Sequence, residues 1–196
     1  MSVILGYKTK DKIYLAADNR LSTIDNKLIS DNSKKIVVIN NCLAIAFSGN
    51  HAAQALFESV LNGIKNEKAR DMRVEDALLH IASMSISFQL NPNNLYSTSC
   101  FIIAGKNRDN ECCIHAASYV REQFEHTKTD IILFNPVDLD MKTCAECYIK
   151  NIKFSHQDFM QKTIKEIAVK SEVVSPSGDI WIYDLIKDEG SLEHFS

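Results

Sequence analysis

Six cysteines and six histidines are the residues of this chain that most readily suggest chemistry by type alone. Cys144 and Cys147 form a C-x-x-C, and Cys112, Cys113 and His115 are the nearest conceivable partners for a metal. Zinc sites usually combine two regularly spaced pairs, whereas adjacent residues such as Cys112 and Cys113 point to opposite faces of a strand. His51, His80, His126, His156 and His194 are scattered, with no H-E-x-x-H among them. The sequence therefore predicts no metal site and no cofactor, and the cysteines read as small buried hydrophobes. A thiol or metal protein is the third and weakest of the functional readings.

Glycine usage closes off further chemistry. The chain has six glycines, where an average composition would supply about fourteen. The nearest two, Gly178 and Gly190, are twelve positions apart. A P-loop, a dinucleotide fingerprint and the Gly-flanked Ser of a nucleophile elbow all need closer pairs. With 196 residues, 45% of them hydrophobic, the chain suits one domain with a sizeable core. A net charge of -3 gives no reason to expect nucleic acid or an acidic membrane as partner. Met1 to Tyr7 is apolar but is followed at once by Lys8, Lys10, Asp11 and Lys12, so no signal peptide or membrane span is expected. A cytoplasmic location with reduced thiols follows as an expectation.

The elements that must position any site are read from periodicity. Val3 to Tyr7 and Ile13 to Ala17 form a hairpin pattern around the charged turn Lys8 to Lys12, and Asn19 to Ser33 reads as loop. Lys35 to Ile39 and Cys42 to Phe47 follow as strands around Asn40-Asn41, which tolerates the left-handed turn conformation. The period then becomes helical. One helix is predicted from Asn50 to about Ile64 and another from Val74 to Phe88, the latter with Ala77, Leu78, Ile81 and Met84 on one stripe. Asn91-Pro92-Asn93-Asn94 breaks the pattern. Strands are expected at Cys100 to Ala104, Glu111 to Ala116 and Ile131 to Phe134. Helices should begin near Cys144 and at the cap Ser155/Asp158, before a last strand, Ile180 to Leu185, and a polar tail. Blocks of strands with short connections imply antiparallel sheets. "KIVVI" and "CLAIAF" are apolar on both faces, so the sheets should be covered on both sides. The fold class is α+β, and two stacked antiparallel sheets between helical layers, a four-layer αββα sandwich in one domain over residues 1–196, satisfies the pattern.

The stretches "SVILGYKTKDKIYLAADNR", "SKKIVVIN" and "LAIAFSGNHAAQALFESVL" resemble the proteasome β-subunit type of N-terminal nucleophile hydrolase. Asp-x-Arg after a strand is ordinarily a solvated turn and Lys-Lys ordinarily a wet surface; in order, and followed by Ser-Gly before a helix, they carry the resemblance together. It continues through "STSCFIIAG" to "SPSGDIWIYDL", with a poor match from Tyr119 to Met141. The resemblance implies an Ntn-hydrolase-like fold and amide-bond hydrolysis of the threonine-peptidase type. It also implies a peptide or protein substrate and a homo-oligomeric ring, with an ATP-dependent unfoldase or regulator as a further partner. Position by position it assigns the nucleophile to Ser2, which Met1 removal would free without a propeptide. It assigns the acidic residue to Asp18, the buried lysine to Lys35 and the oxyanion donor to the Gly49 N–H.

That assignment makes chemical sense. A Ser hydroxyl needs a base within reach, and an α-amine, with a pKa of about 7.7–8.0, supplies one on the same residue. A lysine beside the amine would keep it neutral, and Asp18 would fix that lysine. Three features depart from the family pattern. Val174 stands at an acidic position, with Glu172 the nearest upstream carboxylate; Asp179 follows Ser177-Gly178 in place of a second Gly; and "PVDLDMKTCAEC" has no Gly-Ser-Gly turn. These departures, with Ser in place of Thr, support the alternative of a catalytically inactive proteasome-like subunit with a structural or binding role.

Overall fold

Apolar residues on both sides of a hairpin bring the two ends of the first eighteen residues together. In the computed structural model, β1 (Ile4–Lys8) and β2 (Lys12–Asp18) pair antiparallel, with Ile4 opposite Ala17 and Lys8 opposite Ile13. Thr9 closes the turn: its N–H donates to the Lys12 carbonyl at 2.8 Å and its hydroxyl oxygen accepts from the Lys12 N–H at 2.9 Å. The structure describes residues 2–23, 25, 27–49, 58, 61–62, 69–89, 98–120 and 123–196.

Two five-stranded antiparallel sheets carry the fold. The first has the order β10-β1-β2-β11-β12, where β10 is Ile131–Phe134, β11 Gly178–Asp184 and β12 Glu189–Phe195. The second has the order β5-β6-β7-β8-β9: Ile36–Asn40, Leu43–Gly49, Thr98–Lys106, Cys112–Val120 and Gln123–Thr129. A small ribbon, β3 (Leu21–Ser22) with β4 (Leu28–Ser30), lies within the segment expected to be loop. Among the described residues the long helices are α1 (Val74–Gln89), α2 (Met141–Asn151) and α3 (His156–Lys170). The chain is thus an α+β protein with antiparallel sheets, as the patterning implies.

The double-sided apolar strands have a direct explanation in three buried clusters. Along β6, Leu43, Ile45 and Phe47 pack with Val74, Ala77 and Ile81 of α1. The alternate residues Ala44 and Ala46 join Ile4, Ile13, Leu15 and Ala17 of the first sheet. The other face of the first sheet, with Val3, Leu5 and Ala16, packs on Phe159, Ile164 and Ile167 of α3 and on Cys144 and Cys147 of α2. Burying each large side chain contributes about 1.5–3 kcal/mol. Cys144 and Cys147 are therefore core residues, and Cys112 and Cys113 face different clusters, as adjacent strand residues must.

Local signals set the helix starts. Asp140 Oδ1 accepts the Thr143 N–H at 2.9 Å, and Ser155 Oγ accepts the Asp158 N–H at 3.4 Å while its hydroxyl donates to Asp158 Oδ2 at 2.8 Å. The helix expected from Asn50 to Ile64 falls largely outside the described residues, as does the Asn91–Asn94 breaker; Glu58, Leu61 and Asn62 are helical. Two expectations are corrected. The polar tail after Leu185 forms β12, and β9 lies in a stretch assigned no strand. Both are edge strands whose side chains are mostly exposed, so backbone pairing rather than an apolar face holds them, and hydrophobic periodicity does not register them. No helix among the described residues is long and apolar enough to cross a membrane.

Candidate functional site

The β1–β2 register puts the residue before β1 beside the last residue of β2. Asp18, with no exposed surface, accepts the Val3 N–H at 3.1 Å through Oδ1. Its Oδ2 receives the Arg20 N–H at 2.9 Å, the Ser175 N–H at 3.2 Å and the Lys35 ammonium at 2.9 Å. One fully buried carboxylate is thus matched by four donors, from residues 3, 20, 35 and 175, which is what makes its burial tolerable. Gly178 sits opposite Asp18 at the start of β11, and a Cβ there would lie 2.3 Å from the Ala17 carbonyl oxygen. Only a glycine lets β11 approach β2 so closely at this point.

Lys35 immediately precedes β5, and its carbonyl accepts the Phe47 N–H at 3.0 Å, which anchors it to β6. Its side chain is buried and its ammonium donates both to Asp18 Oδ2 and to the hydroxyl of Ser2. Burial pushes the Lys35 pKa below the ordinary lysine value, while the charge and hydrogen bond of Asp18 oppose that shift. The hydroxyl of Ser2 therefore lies against a cation in a site from which water is largely excluded, Ser2 itself being 6% exposed.

The main chain of Ser2 is held just as firmly. Ser48 Oγ accepts the Ser2 N–H at 2.9 Å and donates to the Ser2 carbonyl at 2.9 Å. The Ser2 hydroxyl also faces the Arg20 carbonyl at 3.5 Å. Arg20 is fixed in turn by a two-point pair with Asp31, at 2.7 and 3.2 Å, and by a bond from Nη1 to the Glu172 carbonyl at 2.8 Å. Gly49 ends β6, opposite Ser99. N–H groups two apart on a strand point to the same edge. Since the Phe47 N–H points to Lys35, that of Gly49 points to the same edge of β6.

Lys35 thus touches both Ser2 and Asp18, and Gly49 directly follows the residue that grips Ser2. Read singly, Asp18-x-Arg20 is a solvated turn and Lys34-Lys35 a wet surface. Instead Asp18 and Lys35 are both buried, and Arg20 pairs with Asp31. Val174 is buried among residues packed on α2 and α3, and Glu172 touches the site through its backbone carbonyl. Sequence reasoning missed three contributors: the Ser48 hydroxyl, the Ser175 N–H and the Arg20 carbonyl. Only Ser48 left a signal, as the lone polar side chain in the apolar run Leu43 to Phe47 and Ser48.

A hydroxyl, a main-chain nitrogen of the same residue, a buried cation and a strand-end N–H can together perform acyl transfer if the nitrogen is a free amine. Among the described residues no group of three or more His, Cys, Asp or Glu side chains could hold a metal ion. No curated protein matches the chain. A family model described as Proteasome subunit matches residues 2–120, a span that contains Ser2, Asp18, Lys35, Ser48 and Gly49 and stops before β9.

Proposed function

The chain belongs to the proteasome subunit family, and from that premise we propose that it is an amide- or peptide-bond hydrolase whose nucleophile is the Ser2 hydroxyl, armed when Met1 is removed. The observation that carries this reading is the buried Lys35 ammonium, which donates to both Asp18 and the Ser2 hydroxyl. In the proposed mechanism Ser2 Oγ attacks the substrate carbonyl carbon and its proton passes to the Ser2 α-amine. The positive charge of Lys35 disfavours a proton on that amine beforehand, so the base is available near neutral pH. The oxyanion of the tetrahedral intermediate takes the Gly49 N–H, a kind of donor whose loss typically costs ~10²–10³ in rate. Collapse transfers the proton to the leaving amine and leaves an acyl ester on Ser2. Water, activated by the same amine, then releases the acid.

The four-layer αββα arrangement in a single domain belongs to the same proposal. The three buried clusters support it, one holding residues of both sheets and two holding a sheet face with helices. A peptide or protein substrate and a homo-oligomeric ring complete the reading, both drawn from family membership.

Intact mass of untagged protein, followed by turnover of short peptide amides, tests the proposal. A mass lacking one methionine and carrying no acetyl group is expected, with activity abolished in Ser2→Ala and Lys35→Ala while the fold is retained. Undiminished activity in both variants would overturn the assignment. The second reading, an inactive structural or binding subunit, is favoured by one observation: Val174 brings an apolar side chain, buried among core residues, to the position where the family resemblance implies an acid.

A further inference from the structure

We propose that Ser48 is the positioning residue for the base: its hydroxyl holds the Ser2 α-amine in the orientation that accepts the nucleophile's proton. The inference rests on the hydrolase reading for its chemistry but on separate contacts for its geometry. Ser48 is 1% exposed, and along its face of β6 the preceding residues are Ala46 and Ala44, both in an apolar cluster. A hydroxyl at such a place costs free energy unless both its donor and its acceptor capacity are used. Both go to Ser2. The hydroxyl proton is committed to the Ser2 carbonyl at 2.9 Å, so an oxygen lone pair must face the Ser2 nitrogen at 2.9 Å.

Two bonds to one residue, on either side of its Cα, fix the rotation of that residue. When the nitrogen is a terminal amine, one N–H stays on Ser48 Oγ, and the rotation that remains about N–Cα is removed. The amine lone pair is then held in a constant relation to the side-chain hydroxyl. No carboxylate among the described hydrogen bonds and ion pairs reaches the Ser2 nitrogen. Asp18 is used up by Val3, Arg20, Ser175 and Lys35. The side chain at 174 lies in the core against α2 and α3. Ser48 also precedes Gly49, so one strand end sets both the base and the proposed oxyanion donor.

The test uses the mature untagged protein with Ser48→Ala, Ser48→Thr and Ser48→Cys. The pKa of the Ser2 α-amine is read by NMR from the pH dependence of the Ser2 Cα and Cβ shifts in protein labelled with 13C-serine, a readout that needs no turnover. A neutral oxygen accepting from an amine stabilises the ammonium more than the free amine. Ser48→Ala should therefore lower that pKa by about one unit. It should also reduce kcat on a peptide amide by about tenfold or more with KM little changed, as expected when a base loses its orientation. Ser48→Thr should restore most of both. An amine pKa unchanged within a few tenths in a folded Ser48→Ala protein would overturn the proposal. If that variant fails to fold, Ser48→Cys, close in volume but a weak acceptor, should show the same downward shift, and its absence would be equally decisive. A shifted amine pKa in a protein that turns over no amide would support the positioning contact while overturning the hydrolase reading. Retained Met1 would overturn both.

Discussion

Asp18 and Lys35 form an ion pair of 2.9 Å in which the carboxylate side chain is 0% and the lysine side chain 2% exposed. The two residues come from different sheets, Asp18 ending β2 and Lys35 entering β5. Such a pair is a weak source of net stability, because desolvation offsets most of the attraction, but leaving one partner alone is costly. We expect Lys35→Met and Asp18→Asn each to destabilise the protein by about 3–5 kcal/mol. The double variant should recover a large part of that loss and yet remain inactive. Urea unfolding of the four proteins gives the coupling; additive losses would show that the two side chains do not act as a pair.

A pH dependence follows from the same lysine. Burial holds the folded-state pKa of Lys35 below the ordinary lysine value. Between the folded and unfolded values the unfolded chain binds more protons, so stability rises with pH through that window and falls as pH drops toward the folded value. The stability advantage of the wild type over Lys35→Met should therefore grow as pH rises toward the ordinary lysine value of about 10.4. Urea midpoints at each pH test the sign; a difference that shrinks over this interval contradicts it.

Three buried thiols should be silent in the folded protein. Burial raises Cys100 to a pKa of about 12 and Cys113 and Cys144 to about 11. The thiolate is the reactive form, so these residues should resist iodoacetamide at pH 8 and label only after unfolding. Peptide mapping by mass spectrometry reads this directly. Amidase activity that vanishes in step with labelling of any of them would instead support a thiol mechanism.

Gly178→Ala should be destabilising by about 1–3 kcal/mol, as overpacking of a close contact usually is. The added methyl would lie 2.3 Å from the Ala17 carbonyl oxygen and 2.6 Å from the Phe195 ring. Relief requires β11 to move away from β2 beside Asp18, so activity should fall along with the melting temperature. A variant that melts like the wild type would mean that the strands separate there at no cost.

Much of this was legible in the sequence because the governing forces are local. The first hairpin, β5 and β6, α1 and the capped start of α3 follow from apolar spacing and from Ser155, whereas α2 begins at Met141 behind the cap Asp140, three residues before the Cys144 start expected. What was not legible depends on edges or on distance. β9 and, apart from Phe195, β12 bury little and are held mainly by neighbouring backbone. Asp18, Lys35 and Ser2 were named through a resemblance of ordered short motifs; that Lys35 reaches both of the others was beyond periodicity, since its hydrogen bonds to them span 17 and 33 positions. The grip of Ser48 on Ser2 spans 46 positions and joins two sheets, and its only trace in the sequence is a polar residue where an apolar one would pack.

That grip has a consequence for the order of events as the chain folds. Ser2 and Asp18 belong to the first hairpin, whereas Lys35 and Ser48 arrive with the second sheet. A chain that has closed only its first hairpin holds the proposed nucleophile without the cation beside it and without the hydroxyl that orients its amine. In the proposed mechanism docking of the sheets is then a second condition beside Met1 removal, and a copy that has not yet brought its sheets together holds Ser2 without its base in place.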